Sequence, residues 1–251
     1  MKQTVVIGLG LLVMALWSQV ACSKSNRAGE QPVINPADTS KPKDTVTVKP
    51  PVGKRYLALG DSYTIGQSVL ENEKYPRQLQ DSLNKYGITI NDLNIIARTG
   101  WTTADLLNAV QSNPPTGNYD LVTLLIGVNN QYQGLSISQY STEFTNLIDK
   151  CKQYAGNDKN KVVVISIPDY SVVPFAKYSD TVKIRTELEA FNKVNKDITT
   201  QNGIKYIDVF ALSQEARFNK TLVASDSLHF SGLEYGKWTN LLVPVAKEIL
   251  K

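Results

Sequence analysis

His229 is the only histidine in the chain, and an aspartate, Asp226, stands three residues before it. Imidazole is the side chain best suited to take up and return a proton near neutral pH. Far upstream, Gly60-Asp61-Ser62 offers a serine on a short turn. A serine hydroxyl is a weak nucleophile until a neighbouring base accepts its proton. His229 can be that base, with Asp226 holding the other ring nitrogen and stabilising the imidazolium. The three-residue spacing lets both side chains meet in a loop or across a single helical turn. The chemistry open to this set is attack of Ser62 on a carbonyl.

Other chemistries have fewer parts. One histidine and two cysteines do not make up a zinc-ligand set. Cys151 follows Leu147-Ile148-Asp149-Lys150 in a helix-like stretch, has no second histidine to serve it, and reads as a packing residue. Gly60 stands two places before Ser62, but Thr64 occupies the place of the second glycine, so this is not the Gly-x-Ser-x-Gly elbow. Neither a dinucleotide fingerprint nor a P-loop is present. No cofactor and no metal is expected.

Short apolar runs alternate with longer amphipathic segments. Strands are expected over residues 55–59, within 88–97, and over 120–126, 161–167 and 204–210. Helices are expected over 75–86, 102–111, 138–154, 181–201 and 232–251, with Thr102 or Thr103 as a cap. Nearly continuous apolar strands alternating with helices imply a mainly parallel sheet of about five strands with both faces covered, a three-layer α/β/α sandwich. Ligands bind such sheets beyond the carboxyl ends of the strands. Asp61-Ser62, Arg98-Thr99-Gly100, Gly127-Val128-Asn129 and Pro168-Asp169-Tyr170 each follow an expected strand, so the unusual residues fall on one rim. At that rim Asp61 reads as a turn-stabilising side chain. Asp169 and Tyr170 are candidate pocket residues, and Trp101 reads as a packing residue or a stacking platform. The segment 171–178 reads as a loop over the site with Phe175 and Tyr178 as candidate contacts.

Over residues 55–251 the sequence resembles the SGNH hydrolases, also called GDSL esterases/lipases. Four blocks in order carry the resemblance: Gly60-Asp61-Ser62, Gly100, Gly127-Val128-Asn129 and Asp226-Ser227-Leu228-His229. It implies a flavodoxin-like α/β/α fold, with Ser62 as nucleophile, His229 as base and Asp226 as its orienter. It also implies an oxyanion hole made of the Ser62 and Gly100 backbone N–H groups and the Asn129 side-chain amide. One position departs from the pattern: Asn130 stands where the family usually has aspartate. The substrate implied is a small-molecule or glycan ester. Hydrolysis, acyl transfer by the same machinery and a surface binding module without turnover are the readings to separate.

The amino-terminal stretch has a different character. Lys2 precedes an apolar run from Val5 to Trp17, and Val20-Ala21-Cys22 follows. This is the pattern of a secretory signal. The Ala21-Cys22 junction resembles the lipobox of bacterial lipoproteins, with Gln19 where that family usually has leucine. The resemblance implies lipidation of Cys22, removal of residues 1–21 and an exported protein anchored to a bacterial cell membrane. Residues 22–54 hold proline, serine, threonine and charge without an apolar period, the composition of a disordered tether. Lys24, Arg27, Lys41, Lys43, Lys49 and Lys54 there outnumber Glu30, Asp38 and Asp44, which accounts for most of the net charge of +4. Residues 55–251 are close to neutral, which argues against a nucleic-acid partner.

Overall fold

A computed structural model of the chain describes residues 53–251. The expected signal segment, Cys22 and the tether up to residue 52 lie outside the described residues.

Five strands form one sheet: β1 (Lys54–Gly60), β2 (Ile90–Ala97), β3 (Leu121–Leu125), β4 (Val162–Ile165) and β5 (Lys205–Ile207). Their order across the sheet is β2-β1-β3-β4-β5, and every neighbouring pair is parallel. A parallel neighbour requires the chain to cross back over a face of the sheet, and helices make the crossings. In chain order these are α1 (Ser62–Ile65), α2 (Tyr75–Lys85), α3 (Thr103–Ser112), α4 (Val128–Tyr132), α5 (Ile137–Tyr154), α6 (Thr181–Gln201), α7 (Phe210–Ser213) and α8 (Gly232–Leu250). Helix α2 packs on α8, while α3, α5 and α6 pack in series. This is the expected α/β/α fold.

The central strands explain why the sheet holds. Tyr56 to Leu59, Leu121 to Leu125 and Val162 to Ile165 are buried throughout, so neither face reads as polar. Each fully buried valine or leucine contributes roughly 1.5–3 kcal/mol relative to exposure. The helices meet the sheet with their apolar stripes: Leu79 and Leu83 on α2, Phe144, Leu147, Ile148 and Cys151 on α5, Trp238 and Leu242 on α8. Burial pushes the Cys151 thiol up to about 12, which fits a packing residue. Thr102 caps α3 through a reciprocal pair with Asp105: the Asp105 N–H donates to Thr102 Oγ1 at 3.3 Å, and the Thr102 N–H to Asp105 Oδ2 at 2.9 Å.

Two strands stop short of their expected ends: β4 at Ile165 instead of residue 167, and β5 at Ile207 instead of Phe210. The Val209 and Phe210 N–H groups turn to Ser166 Oγ, at 2.8 and 3.1 Å, and the chain enters α7.

The strand order reverses between β1 and β3, the place where an open parallel sheet leaves a crevice at its carboxyl edge. Ser62 follows β1 and Asn129 follows β3, so the two flank that crevice.

Candidate active site

β1 ends at Gly60, and the chain turns at once into α1. A Cβ at Gly60 would lie 2.1 Å from Thr64 Oγ1 and 2.3 Å from the Leu125 carbonyl oxygen, so the turn closes only over glycine. Thr64 is fully buried, and its hydroxyl meets that of Tyr75 at 3.4 Å, which reaches Thr123 Oγ1 on β3 at 3.3 Å. The residue that breaks the Gly-x-Ser-x-Gly pattern therefore ties the serine turn to the sheet. Asp61 caps α1, accepting the Tyr63 N–H at 3.0 Å. Burial pushes its carboxyl from 3.8 to about 7, against the lowering effect of the backbone hydrogen bonds it accepts. Ser62 takes the first helical position with 4% of its surface exposed. Its backbone N–H makes no backbone hydrogen bond among the described residues, as expected for the first residue of a helix.

The segment from Val223 to Phe230 folds back on itself through an antiparallel bridge between its ends. Inside it the Ala224 N–H donates to the His229 carbonyl at 2.8 Å, and Ser227 adopts a φ of +65°, rare for a residue with a side chain. This tight loop brings Asp226 under His229. Asp226 Oδ1 accepts the Leu228 and His229 N–H groups, both at 2.9 Å. Its Oδ2 lies 2.6 Å from His229 Nδ1 and accepts the Ser68 hydroxyl at 2.6 Å. Burial alone would raise the Asp226 carboxyl. The hydrogen bonds from Ser68, His229 and the loop backbone outweigh it and hold the group well below the usual carboxylate range. In a neutral imidazole, an ionised acceptor at Nδ1 places the proton on that nitrogen and leaves Nε2 with its lone pair.

Ser62, Asn129 and His229 line one pocket of about 290 Å³, with Tyr132, Tyr170 and Phe175 among its walls. The His229 residue is 6% exposed, and its ring stands edge-on to Tyr63 with centroids 5.7 Å apart. No hydrogen bond joins Ser62 to His229 among the described residues. Such bonds are commonly long before substrate arrives.

The remaining two candidates come from the loops after β2 and β3. Gly100 has a φ of +86°, while nothing lies within 4 Å of where a Cβ would stand, so its need for glycine is conformational. It is exposed and does not line the pocket. Asn129 Nδ2 donates to the Trp101 carbonyl at 2.9 Å, which links the two loops and orients the amide. A side-chain amide carries two N–H donors, so one remains for a ligand. Gly127, at the start of α4, has a φ of +127°, and a Cβ there would lie 2.6 Å from the Tyr140 ring. Asn130 faces away from the pocket and is fully buried. Its Oδ1 accepts the Thr103 N–H at 3.0 Å, and its Nδ2 donates to Thr103 Oγ1 at 2.7 Å. The Thr103 hydroxyl donates in turn to Glu143.

Tyr170 and Phe175 sit on the pocket as the sequence suggests, whereas Tyr178 is 92% exposed and outside it. Asp169 is fully buried and held by Arg185 Nε at 3.1 Å and the Ser171 N–H at 2.9 Å, a role in the fold and not in the pocket. Trp101 packs against the core and offers its carbonyl to Asn129. The segment 171–178 forms two short 3-10 turns, and its Phe175 N–H donates to the Ser227 carbonyl at 2.9 Å, joining it to the histidine loop. Sequence reasoning missed Ser68, Tyr132 and Glu143. Ser68 reaches Asp226 from 158 residues away in sequence, and Glu143 reaches Thr103, behind the pocket, from 40, which no local spacing reveals.

The fold and the residues gathered at its rim define a carboxylic ester hydrolase of the α/β class. The GDSL-like lipase/acylhydrolase family model matches residues 58–235, and the chain belongs to that family. Its fold is shared by a lipase/acylhydrolase from Enterococcus faecalis, with 18% identity and a TM-score of 0.62 over 79% of this chain and 97% of that one. A Clostridium thermocellum family 3 carbohydrate esterase aligns with 22% identity and a TM-score of 0.57, covering 79% of this chain and all of the other. A variant of an acetyl xylan esterase from Geobacillus stearothermophilus aligns with 16% identity and a TM-score of 0.61 over 77% of this chain and 94% of that one. Among curated proteins, none matches the chain.

Proposed function

We propose that the protein is a serine esterase that cleaves carboxylic esters through a Ser62-His229-Asp226 triad and an acyl-enzyme. The observation that carries this reading is the 2.6 Å contact between Asp226 Oδ2 and His229 Nδ1 beside a pocket that Ser62 and His229 share. His229 Nε2 accepts the Ser62 proton as Oγ bonds to the carbonyl carbon, and the carbonyl oxygen becomes an oxyanion. The Ser62 N–H and the second Asn129 donor, both on residues that line the pocket, stabilise that charge; the family resemblance assigns the Gly100 N–H to the same hole, although Gly100 stands outside the pocket lining. In such holes one donor accounts for about 2.7–4 kcal/mol of transition-state stabilisation. The imidazolium then protonates the departing alcohol as its bond to the carbonyl carbon breaks, leaving the acyl group on Ser62. Water, deprotonated by Nε2, attacks the ester carbonyl and releases the acid and the serine.

Within that class, a short acyl group is the reading the pocket favours. A volume of about 290 Å³ is at the small end for ligand sites. Two of the structural neighbours are a carbohydrate esterase and an acetyl xylan esterase, which supports an O-acetylated glycan as substrate. Acyl transfer would use the same residues with a sugar hydroxyl in place of water. We further propose that Cys22 carries the lipid that anchors the exported protein to a bacterial membrane, on the strength of the Val20-Ala21-Cys22 junction after an apolar run.

Hydrolysis of p-nitrophenyl esters from acetate to palmitate tests the reading. Turnover greatest at acetate or butyrate, and abolished in Ser62→Ala, is expected. Turnover that survives in Ser62→Ala overturns the triad, and an optimum at palmitate overturns the short-acyl assignment.

A further inference from the structure

A second cavity of about 320 Å³ is lined by Ser171, Pro174, Lys177, Thr181, Arg217 and Lys220. Three of these side chains are cationic, and among the described residues none of the three forms a salt bridge. The carboxylates nearest them in sequence are otherwise engaged: Asp180 caps α6 through the Lys183 N–H at 3.0 Å, and Glu215 pairs with Lys237 at 2.8 Å. Thr181, the first residue of the 21-residue α6, lines the cavity next to the helix's cap, Asp180. Ser171 is buried, and its hydroxyl has no partner among the described residues. A buried hydroxyl without a partner costs free energy unless a ligand or water meets it. Among the described residues Lys220 Nζ meets only the Ala216 carbonyl, at 3.4 Å. Three cations without a carboxylate partner thus line one cavity with an orphaned hydroxyl, and the cations favour an anion.

The cavity's position ties it to the site. Residues 170–178 form a wall shared by the two pockets: Tyr170 and Phe175 line the ester pocket, and Ser171, Pro174 and Lys177 line the basic one. The chain neighbours of Lys177 and Arg217 are Tyr178 and Phe218, 92% and 89% exposed. The Lys177 ammonium lies over the Tyr178 ring, 5.1 Å from its centre, so the exposed Phe218 ring beside Arg217 is the one left to stack on a sugar ring whose carboxylate pairs with the cations.

We propose that this cavity is a subsite for an acidic sugar of the O-acetylated glycan whose ester is cleaved at Ser62. The inference rests on the esterase reading, and the test separates the two. Arg217→Gln/Lys220→Gln, in the full chain, removes two cations that do not line the ester pocket. Turnover of p-nitrophenyl acetate should be unchanged, since that ester reaches only the first pocket. Acetate release from O-acetylated polygalacturonate should fall at least about fivefold in kcat/KM, carried by KM, while release from neutral O-acetylated glucomannan stays within about twofold. Calorimetric binding of an oligogalacturonate to Ser62→Ala, weakened to the same degree by the two substitutions, tests the subsite without turnover. Equal effects on the acidic and neutral polymers, no effect on either, or no oligogalacturonate binding overturns the subsite. So does binding of phosphatidylglycerol vesicles in place of the oligosaccharide. Loss of p-nitrophenyl acetate turnover in Ser62→Ala, with unaltered oligogalacturonate binding, keeps the two claims apart.

Discussion

Ser68 donates to the Asp226 oxygen that faces His229 Nδ1. It holds the carboxylate in place and keeps it ionised, so in the proposed triad it acts through two other residues. Ser68→Ala should lower kcat about tenfold with little change in KM, the scale of one hydrogen bond to a charged group. Steady-state kinetics on p-nitrophenyl acetate check this, and an unchanged kcat would remove Ser68 from the account. Ser62, Asp226, His229 and Asn129 were legible because their residue types are chemically distinctive and their blocks follow expected strands. Ser68 was not legible, because a serine in a loop carries no signal until the fold brings it to Asp226.

At the scale of elements, the junction of α3, α4 and α5 explains the one departure from the family pattern. Where the resemblance leads one to expect aspartate, Asn130 both accepts from and donates to Thr103, and Thr103 passes its hydroxyl proton toward Glu143. The carboxylate of this junction stands on α5, at Glu143. Restoring aspartate alone would set two carboxylates against one hydroxyl. Asn130→Asp should therefore cost about 1–3 kcal/mol, and Glu143→Gln in the same chain should recover most of it. Urea denaturation of the four proteins of this cycle measures the coupling; additive effects would contradict the relay. Gly127→Ala is expected to disrupt the same junction, because a Cβ would meet the Tyr140 ring at 2.6 Å in a backbone conformation that L-residues avoid. The strands and long helices here were readable from apolar period and caps. The five residues of α4 were not, being too short to show a period, and the last part of β5 failed because Ser166 draws its N–H groups away.

Over the whole molecule, the fold stabilises a protonated Asp61 at the foot of the site. Its carboxyl sits at about 7 instead of 3.8, so the folded state holds a proton that the unfolded chain releases. A carboxyl shifted upward makes stability fall as pH rises through the window between those values, with no further loss above it. Asp61→Asn keeps an acceptor for the Tyr63 N–H and cannot titrate. Its stability should gain on the parent between pH 4 and 7 by up to about 4 kcal/mol, then run parallel to it. Denaturation midpoints across that range check the sign; a gain appearing only above pH 7 would contradict it. The parallel architecture was legible over residues 55–251 because strands buried on both faces are continuously apolar, whereas the basic cavity was not, since Lys177, Arg217 and Lys220 meet only in space. The proposed membrane attachment belongs to this scale too: if Cys22 carries the lipid, Cys22→Ser should release the protein from membranes, and continued sedimentation with them would remove the anchor.

The central claim is that Ser62 is activated by His229 and carries the acyl group. Labelling with a phosphonate ester that reacts with activated serines, followed by peptide mass spectrometry, tests it most directly. One adduct per chain on Ser62, absent in both Ser62→Ala and His229→Ala, is the predicted result. An adduct on another residue, or none from a protein that hydrolyses esters, would contradict it.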